Sequence, residues 1–376
     1  MRLKNNNFKY HNTNNLHMIK KSVKIGSVIK TIIKDKDGNI VDVITEKDKC
    51  FLPNFARFIR SCVFGVDTDG YRRDGRKVTI RSYLSNGSYS GRWLYTCYLS
   101  NLLVGSDNPP NEIETYELYN VLNNIIYSDI NITDIQSDEN KYYLIISRTI
   151  QNPDQTQSLD IGEFGVYFNN NGNEYLVYRH AYSEKITLEP QHSMEIQFMP
   201  YVSKVSGLTA NFYKVLLSMF YPADRTVKVR KMTDDYPYYQ DIDYSHNRYC
   251  SRCNIYTSCN ANENDDSFGV IVGKSDSTPV SEDNFKLDDP YTKDEVTYWK
   301  TTVLEPYIQD QNNSKIIHVK LIRKISWKNQ DATVKEAGLI ADYIGNKILL
   351  ARITDNKTIT SDKVYVFEFD ISVLFS

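Results

Sequence analysis

The strongest constraint on this chain is that part of its sequence occurs twice. The stretch IGEFGVY at positions 161–167 recurs as VKEAGLI at positions 334–340, which lies 173 positions later. The same offset separates Arg179 from Arg352, and no gap interrupts the alignment for over twenty residues. A repeated stretch indicates a repeated structural unit, so the sequence predicts one module built twice.

The length of 376 residues exceeds one ordinary hydrophobic core, which also favours two domains. We predict an N-terminal arm and hairpin at 1–50, a first module at 51–203 and a second module at 204–376. The second module carries a long loop insertion at 222–267.

The composition argues against some classes of protein. The formal net charge of −2 supplies no large positive field, so direct nucleic-acid binding is not expected. No stretch approaches the roughly 18 consecutive apolar residues of a membrane helix, so we expect no membrane partner. The N-terminus is rich in Asn and Lys rather than apolar, so we expect no signal peptide and synthesis in a cytoplasm.

Local signals place a hairpin and two helices. Asp37-Gly38 separates two runs of β-branched residues, which is a strong hairpin signal. Asn54 and Asn211 each precede apolar residues at helical spacing, and asparagine is a favoured N-cap. Each helix is followed by a polar loop and then by at least five short strands. The predicted fold is therefore mainly β, with two tandem β-sandwich-like modules, each preceded by a short helix, and an N-terminal hairpin or arm.

Two glutamates are the first candidate site. Glu163 and Glu336 each lie between apolar residues on an apparent strand, where a carboxylate needs a cation or several donors. Arginines recur at strand ends in both copies, which favours a structural Glu–Arg pairing across neighbouring strands. The candidate pairing set is Glu163, Arg148, Arg179, Glu336, Arg323 and Arg352. A solvent-facing glutamate and a catalytic carboxylate pair are alternatives, although a glycosidase needs a second acid at a defined separation and none recurs nearby.

The cysteines are the second candidate site. Six cysteines are too few for a disulfide framework in this length, so we expect most of them to be reduced. His246, Cys250, Cys253 and Cys259 could form a tetrahedral zinc site that fastens the second long loop. This spacing crowds four ligands into fourteen positions, so reduced cysteines without a cofactor are the default, and a disulfide formed after release from the cell is the other alternative.

Metal analysis of the purified protein tests the zinc hypothesis. Because the default is reduced cysteines, we expect a zinc content well below one per chain. A content near one zinc per chain, lost when Cys250 and Cys253 are both replaced by serine, would contradict this expectation.

The two long loops contain candidate interface residues. Asp67, Asp69 and Asp74 interrupt the basic cluster of the first loop, so a solvated loop or an acidic protein neighbour is favoured over nucleic acid. Aromatic residues in these loops suit protein contacts, and they could also hold sugar rings. The candidate interface residues are Arg72, Arg73, Arg76, Trp93, Tyr236, Tyr238 and Tyr239.

The order of short motifs in both halves resembles a known module. A Val-Gly pair is followed by a Ser/Thr/Pro/Asp-rich loop, a leucine, a strand ending in Arg, Glu-x-Gly and Leu-x-x-Arg, over roughly 102–198 and 270–369. This order resembles the β-rich module of tail, neck and fibre-associated proteins of tailed bacteriophages. The abundance of Asn and Tyr resembles that of crAss-like phages. The first copy departs from the pattern at Tyr178-Arg179-His180, where a small residue usually precedes the arginine.

The resemblance implies a structural virion protein, located in the neck or tail, that forms a ring or anchors fibres. The partners it implies are other copies of this chain in a ring and other virion proteins of the neck, tail or fibres. A host-recognition fibre or adhesin that binds cell-surface polysaccharide is the alternative. We do not expect an enzyme, because no nucleotide-binding loop, nucleophile elbow or metalloprotease motif occurs in the sequence.

Overall fold

The computed structural model describes residues 16–47, 51–81, 97–107, 109, 115–222, 225, 227–232, 259–311, 314–328, 331–343, 346–361 and 363–375. The predicted mainly β fold is confirmed. The strands, numbered in chain order, are β1 Leu16–Lys34, β2 Ile40–Lys47, β3 Thr68–Tyr71, β4 Lys77–Ile80, β5 Cys97–Gly105, β6 Ile126–Tyr127, β7 Asn131–Ile132, β8 Gln136–Ser137, β9 Lys141–Tyr143, β10 Ile146–Gln151, β11 Leu159–Asn170, β12 Asn173–Leu188, β13 Ser193–Ser203, β14 Gly269–Gly273, β15 Val296–Tyr298, β16 Thr302–Gln311, β17 Ser314–Trp327, β18 Ala332–Tyr343, β19 Asn346–Ile359 and β20 Val364–Phe375.

One large sheet runs through both copies of the repeat. It has twelve strands, and its main path follows the order β15-β17-β20-β1-β13-β10-β6. In the repeat, β15 corresponds to β6, β17 to β10 and β20 to β13. The strand order therefore reads the same from either end, with β1 in the centre. Strand β1 is antiparallel to β13 and parallel to β20, so the two equivalent strands run in opposite directions.

Strand β1 is shared between the two copies. Its first part pairs with β20 from Leu16 to Ile25, and its second part pairs with β13 from Ile25 to Lys34. The hairpin to β2 forms at the predicted turn, where Gly38 has a φ of 87° that glycine tolerates best. Residues 16–47 thus belong to the same sheet as strands of both predicted modules. The domain boundaries and the division into two sandwiches stay predictions, because a continuous sheet does not show where one module ends and the next begins.

Each copy adds a three-stranded sheet. The first has the order β12-β11-β5, and the second has the equivalent order β19-β18-β14. In the first copy the small sheet packs on the large one, since Tyr178 on β12 lies against Phe198 on β13 with ring centroids 4.5 Å apart. The Oγ of Ser27 on β1 donates a hydrogen bond to the Tyr178 hydroxyl at 3.1 Å. Most buried apolar residues of both copies form one continuous core cluster. A smaller cluster in the first copy consists of Leu52, Leu103, Leu118, Tyr167 and Leu176.

The two short helices lie where the sequence predicts them. Helix α1 spans Pro53–Phe58 and continues as a π-helical turn, Ile59–Val63, whereas α2 spans Ala210–Leu217 and continues as a 3-10 turn, Ser218–Phe220. The N-cap prediction is wrong for both asparagines. The caps are Leu52 and Thr209, neither with a side-chain cap bond, because the asparagine side chains bind other backbone groups.

If one strand unites both copies, core changes in either half of β1 should weaken one shared unfolding transition. Ile19 and Ile29 are 5 % and 1 % exposed, whereas Met18 is 40 % exposed. We expect Ile19→Ala and Ile29→Ala each to lower the free energy of unfolding by about 2–5 kcal/mol, with Met18→Ala as the mild control. Urea unfolding measures this loss.

Hydrogen exchange of the same variants locates the effect. In each variant, exchange should rise in both β12 and β19, since these strands belong to different copies. A rise confined to the copy that carries the substituted half of β1 would contradict the shared role of this strand.

Candidate functional site

The repeated Glu-x-Gly motif is built opposite a glycine on the neighbouring strand. Glu163 on β11 lies opposite Gly105 on β5, and Glu336 on β18 lies opposite Gly273 on β14. A Cβ at these glycines would lie 2.7 Å and 2.5 Å from Oε1 of the respective glutamates. Each glycine therefore leaves the space that lets a carboxylate reach across the strand to a loop beyond it.

In the first copy the carboxylate joins a loop to an arginine. Oε1 of Glu163 accepts a hydrogen bond from the Tyr119 backbone N–H, and Oε2 pairs with Nε of Arg179. Both ionic side chains are fully buried. Nη2 of Arg179 donates to the carbonyl of Pro109 at 2.8 Å. The pair thus ties two points of the loop after β5 to the small sheet.

The second copy repeats this arrangement. Oε1 of Glu336 accepts from the Asp289 N–H at 3.0 Å, and Oε2 accepts from Nε of Arg352 at 2.9 Å. Arg352 also donates from Nη1 to the Thr278 carbonyl at 2.9 Å and from Nη2 to Asp288 at 2.8 Å. The loop after β14 is therefore held by the same two residue types as the loop after β5.

The glycine of the motif has a separate role. A Cβ at Gly165 would lie 2.9 Å from Cδ2 of Leu118, and a Cβ at Gly338 would lie 2.8 Å from Cδ2 of Leu287. These leucines come from the same loops that the glutamates hold. The glutamate of the motif thus binds the loop backbone. The glycine leaves the space in which the loop leucine packs.

We call each Glu–Arg pair, together with the loop groups that it binds, a clamp: Glu163 with Arg179 in the first copy and Glu336 with Arg352 in the second. Burial affects the pKa values of the acids in these clamps. Desolvation raises the pKa of Glu163, although Arg179 and the Tyr119 N–H favour the ionised form. Burial alone would also raise the pKa of Asp288, but hydrogen bonds from Thr278 and Ser277 and the charge of Arg352 hold it below its usual value. The hydrogen bonds that stabilise each carboxylate come from the clamp itself.

The predicted pairing is wrong for Arg148 and Arg323, which bind backbone carbonyls instead. Arg148 donates to the Leu102 carbonyl at 2.7 Å, and Arg323 donates to the equivalent Val270 carbonyl at 3.1 Å. The reason is topological: these arginines lie on the large sheet, on β10 and β17, whereas the glutamates lie on the small sheets. They link the two layers in each copy.

A tyrosine completes each of these arginine sites and was missed at the sequence level. Arg148 lies 4.3 Å from the ring centroid of Tyr127, and Arg323 lies 4.5 Å from that of Tyr298. Burial lowers the pKa of Arg323 to about 10. Tyr127 on β6 and Tyr298 on β15 each come before their arginine in the chain and stand on a strand that pairs with the arginine strand. Tyrosine is too frequent in this chain for that order to single them out.

The asparagines of the helices hold the base of each long loop. Asn54 donates to the Tyr71 carbonyl at 2.8 Å and accepts from its N–H at 3.0 Å, and Asn211 makes the same two bonds with Arg230 at 2.8 Å each. Two residues after Tyr71 and after Arg230, the chain meets the outer edge of a small sheet. The Arg73 N–H donates to a backbone carbonyl of β12, and the Met232 N–H donates to one of β19, both at 2.9 Å.

The candidate interface arginines are paired within the chain. Arg72 lies 3.2 Å from Asp74, Arg73 lies 3.1 Å from Glu117, and Arg76 lies 3.8 Å from Asp74. Arg76 keeps 78 % of its side chain exposed. Trp93, Tyr236, Tyr238 and Tyr239 lie outside the described residues.

The cysteines divide into two groups. His246, Cys250 and Cys253 of the zinc hypothesis lie outside the described residues, and Cys259 is fully buried. Within the described ranges, no three His, Cys, Asp or Glu side chains are grouped to hold a metal. Cys62 and Cys97 form a disulfide, so the expectation of reduced cysteines is wrong for this pair. The sequence offers no signal for it, because the two cysteines are 35 positions apart in different kinds of element.

Comparison with known proteins adds no relative. No family model, no curated protein and no solved structure matches the chain. In the part of the chain that the structure describes, no helix is long and apolar enough to cross a membrane. In both clamps, each glutamate oxygen is bound to a backbone N–H or to an arginine. These carboxylates therefore hold the loops in place.

Replacing Glu163 by glutamine should leave the buried guanidinium of Arg179 without its carboxylate. We expect the free energy of unfolding to fall by about 3 kcal/mol. In the double variant Glu163→Leu/Arg179→Met the loss should be smaller, because no charge remains buried. Urea unfolding of the single and double variants measures both losses.

Glu184→Gln is the matched control, since Glu184 lies exposed on β12 and should change stability by less than about 0.5 kcal/mol. A double variant that is less stable than Glu163→Gln would contradict the clamp as the origin of the effect.

Proposed function

We propose that this chain is a structural protein of a tailed-phage particle that acts in the neck or tail through protein–protein contacts. The observation that carries the proposal is the duplicated clamp. In both copies, buried carboxylate, guanidinium and amide groups bind loop backbone at equivalent places. Such groups maintain the shape of a surface, which is what a subunit needs when its role is to contact neighbours.

The long loops are the proposed contact surfaces. The first loop leaves its fixed base after Arg73 and the second leaves its base after Met232, so the two copies present loops from equivalent positions. The sequences beyond these points are rich in tyrosine, including Tyr236, Tyr238 and Tyr239. Tyrosine combines a large apolar area with a polar group, which suits protein interfaces.

The proposed partners are other copies of this chain, arranged as a ring, and other virion proteins of the neck, tail or fibres. The symmetric order of the large sheet supports this, because one chain then carries two equivalent surfaces in opposite orientations. A subunit of this kind can contact two neighbours through related surfaces.

Host recognition is the second candidate function. Trp299 and Tyr116 both have exposed rings within the described residues. An exposed aromatic ring can stack on the apolar face of a sugar, as an adhesin requires. This observation is the one that supports polysaccharide binding as the second candidate.

Electron microscopy of the purified protein tests the choice between these functions. We expect closed rings, whereas a trimer that binds polysaccharide would favour the adhesin. Arg76→Glu should weaken self-association about tenfold, or about 1.4 kcal/mol, because it reverses a charge in the proposed interface. Lys36→Glu, an equal charge change on the exposed β1–β2 turn, is the control and should leave the rings intact.

A further inference from the structure

The disulfide is a feature of the first copy that the proposed function does not use. Cys62 lies on the π-helical turn after α1, and Cys97 begins β5, with a Cα–Cα distance of 6.2 Å. In the second copy Met219 takes the place of Cys62, and the helix ends in a 3-10 turn. π-Helical turns are rare and occur often at functional positions. The covalent link therefore distinguishes one copy from the other.

A buried asparagine, Asn170, also binds Cys97, through a hydrogen bond rather than a covalent one. Asn170 at the end of β11 accepts a hydrogen bond from the Arg81 N–H at 3.2 Å. Its amide donates to the Arg81 carbonyl at 3.3 Å and to Sγ of Cys97 at 3.1 Å. Arg81 and Cys97 lie on either side of residues 82–96 of the first long loop. Asn170 joins these two points, and the disulfide separately ties Cys97 to the turn after α1.

The two sulfurs have different surroundings. Cys97 is 5 % exposed, whereas Cys62 is half-buried, so Cys62 is the more accessible residue of the pair. Attack on Cys62 makes Cys97 the leaving thiolate, and the side-chain amide of Asn170 is in place to donate a hydrogen bond to it. A better leaving thiolate accelerates thiol–disulfide exchange. The geometry therefore points to attack of a reductant at Cys62, with Cys97 as the leaving thiolate.

We propose that Cys62–Cys97 is a redox-controlled fastener of the first long loop, opened by dithiols at Cys62 and closed by small-molecule disulfides. In opening, a dithiol thiolate bonds to Sγ of Cys62, the bond to Cys97 breaks, and Cys97 takes up a proton. The second thiol of the reagent then attacks the reagent sulfur that is bonded to Cys62. Cys62 is released and takes up a proton, and the reagent leaves as a cyclic disulfide. The reagent loses two electrons, and the protein ends with two thiols. Closing reverses this exchange with a disulfide as the oxidant.

Reduction should loosen the loop ends and leave the fold in place. Asn170 still joins Arg81 to Cys97, and the backbone pairing of β5 with β11 does not involve the sulfur bond. The change should therefore be confined to the helix end and the first residues of β5. This inference does not depend on the proposed function, because it concerns only the thiol pair and its neighbours.

Hydrogen exchange with and without dithiothreitol tests the fastener. We expect exchange to rise at least about tenfold in 59–66 and 97–101 on reduction, while 314–328 in the second copy is unchanged. Cys62→Met, which gives the first copy the residue of the second, should exchange like the reduced protein and no longer respond to dithiothreitol. A rise throughout the chain, or none at the loop ends, would overturn the proposal.

The direction of attack has its own test. Partial reduction of the wild-type protein by glutathione should trap a mixed disulfide, and peptide mass mapping locates it. We expect the adduct on Cys62 to exceed that on Cys97 at least about tenfold. Adducts of equal amount, or mainly on Cys97, would overturn the assigned direction. This measurement needs no substitution, so it holds even if a cysteine variant fails to fold.

Discussion

The buried pairing of a carboxylate with a guanidinium is the interaction on which the loops of this protein depend. Glu163 with Arg179, and Glu336 with Arg352, are inside the molecule, where an isolated charge is costly. Each pair meets this cost by binding loop backbone as well as its partner ion. Gly105 and Gly273 are required because a side chain there would occupy the path of the carboxylate. A short motif on one strand thus determines the conformation of a loop on another.

The second constraint is the shared strand β1, which makes one sheet out of two copies. A strand at the edge of a sheet leaves backbone groups unpaired, and joining β13 and β20 through β1 removes two such edges at once. At the β12 and β19 edges of the small sheets, the backbone N–H groups of Arg73 and Met232 each bind one strand carbonyl. Duplication alone would have given two modules with open edges. The N-terminal strand converts them into one core.

The sequence predicted the mainly β fold, the hairpin at Gly38 and both helices, because these follow from local periodicity and turn chemistry. It also identified Glu163 and Glu336, since a carboxylate within an apolar strand is unusual. It did not identify the partners of Arg148 and Arg323, because carbonyl acceptors leave no signature in a sequence. The roles of Asn54 and Asn211 were mistaken for capping, since their true partners, Tyr71 and Arg230, are set by tertiary contacts. The central place of β1 could not be read either, because strand pairing across more than 300 positions has no local signal.

The pairing of β1 with β20 has a consequence for synthesis on the ribosome. Residues 16–25 are synthesised more than 300 residues before their partner strand, Val364–Phe375. The N-terminal half of β1 therefore stays without this partner until β20 has been made, whereas its C-terminal half can pair with the nearby β2. Contacts of such long separation form slowly, and an unpaired strand is open to wrong partners in the meantime. The three lysines Lys20, Lys21 and Lys24 on this waiting segment provide charge that opposes such mispairing.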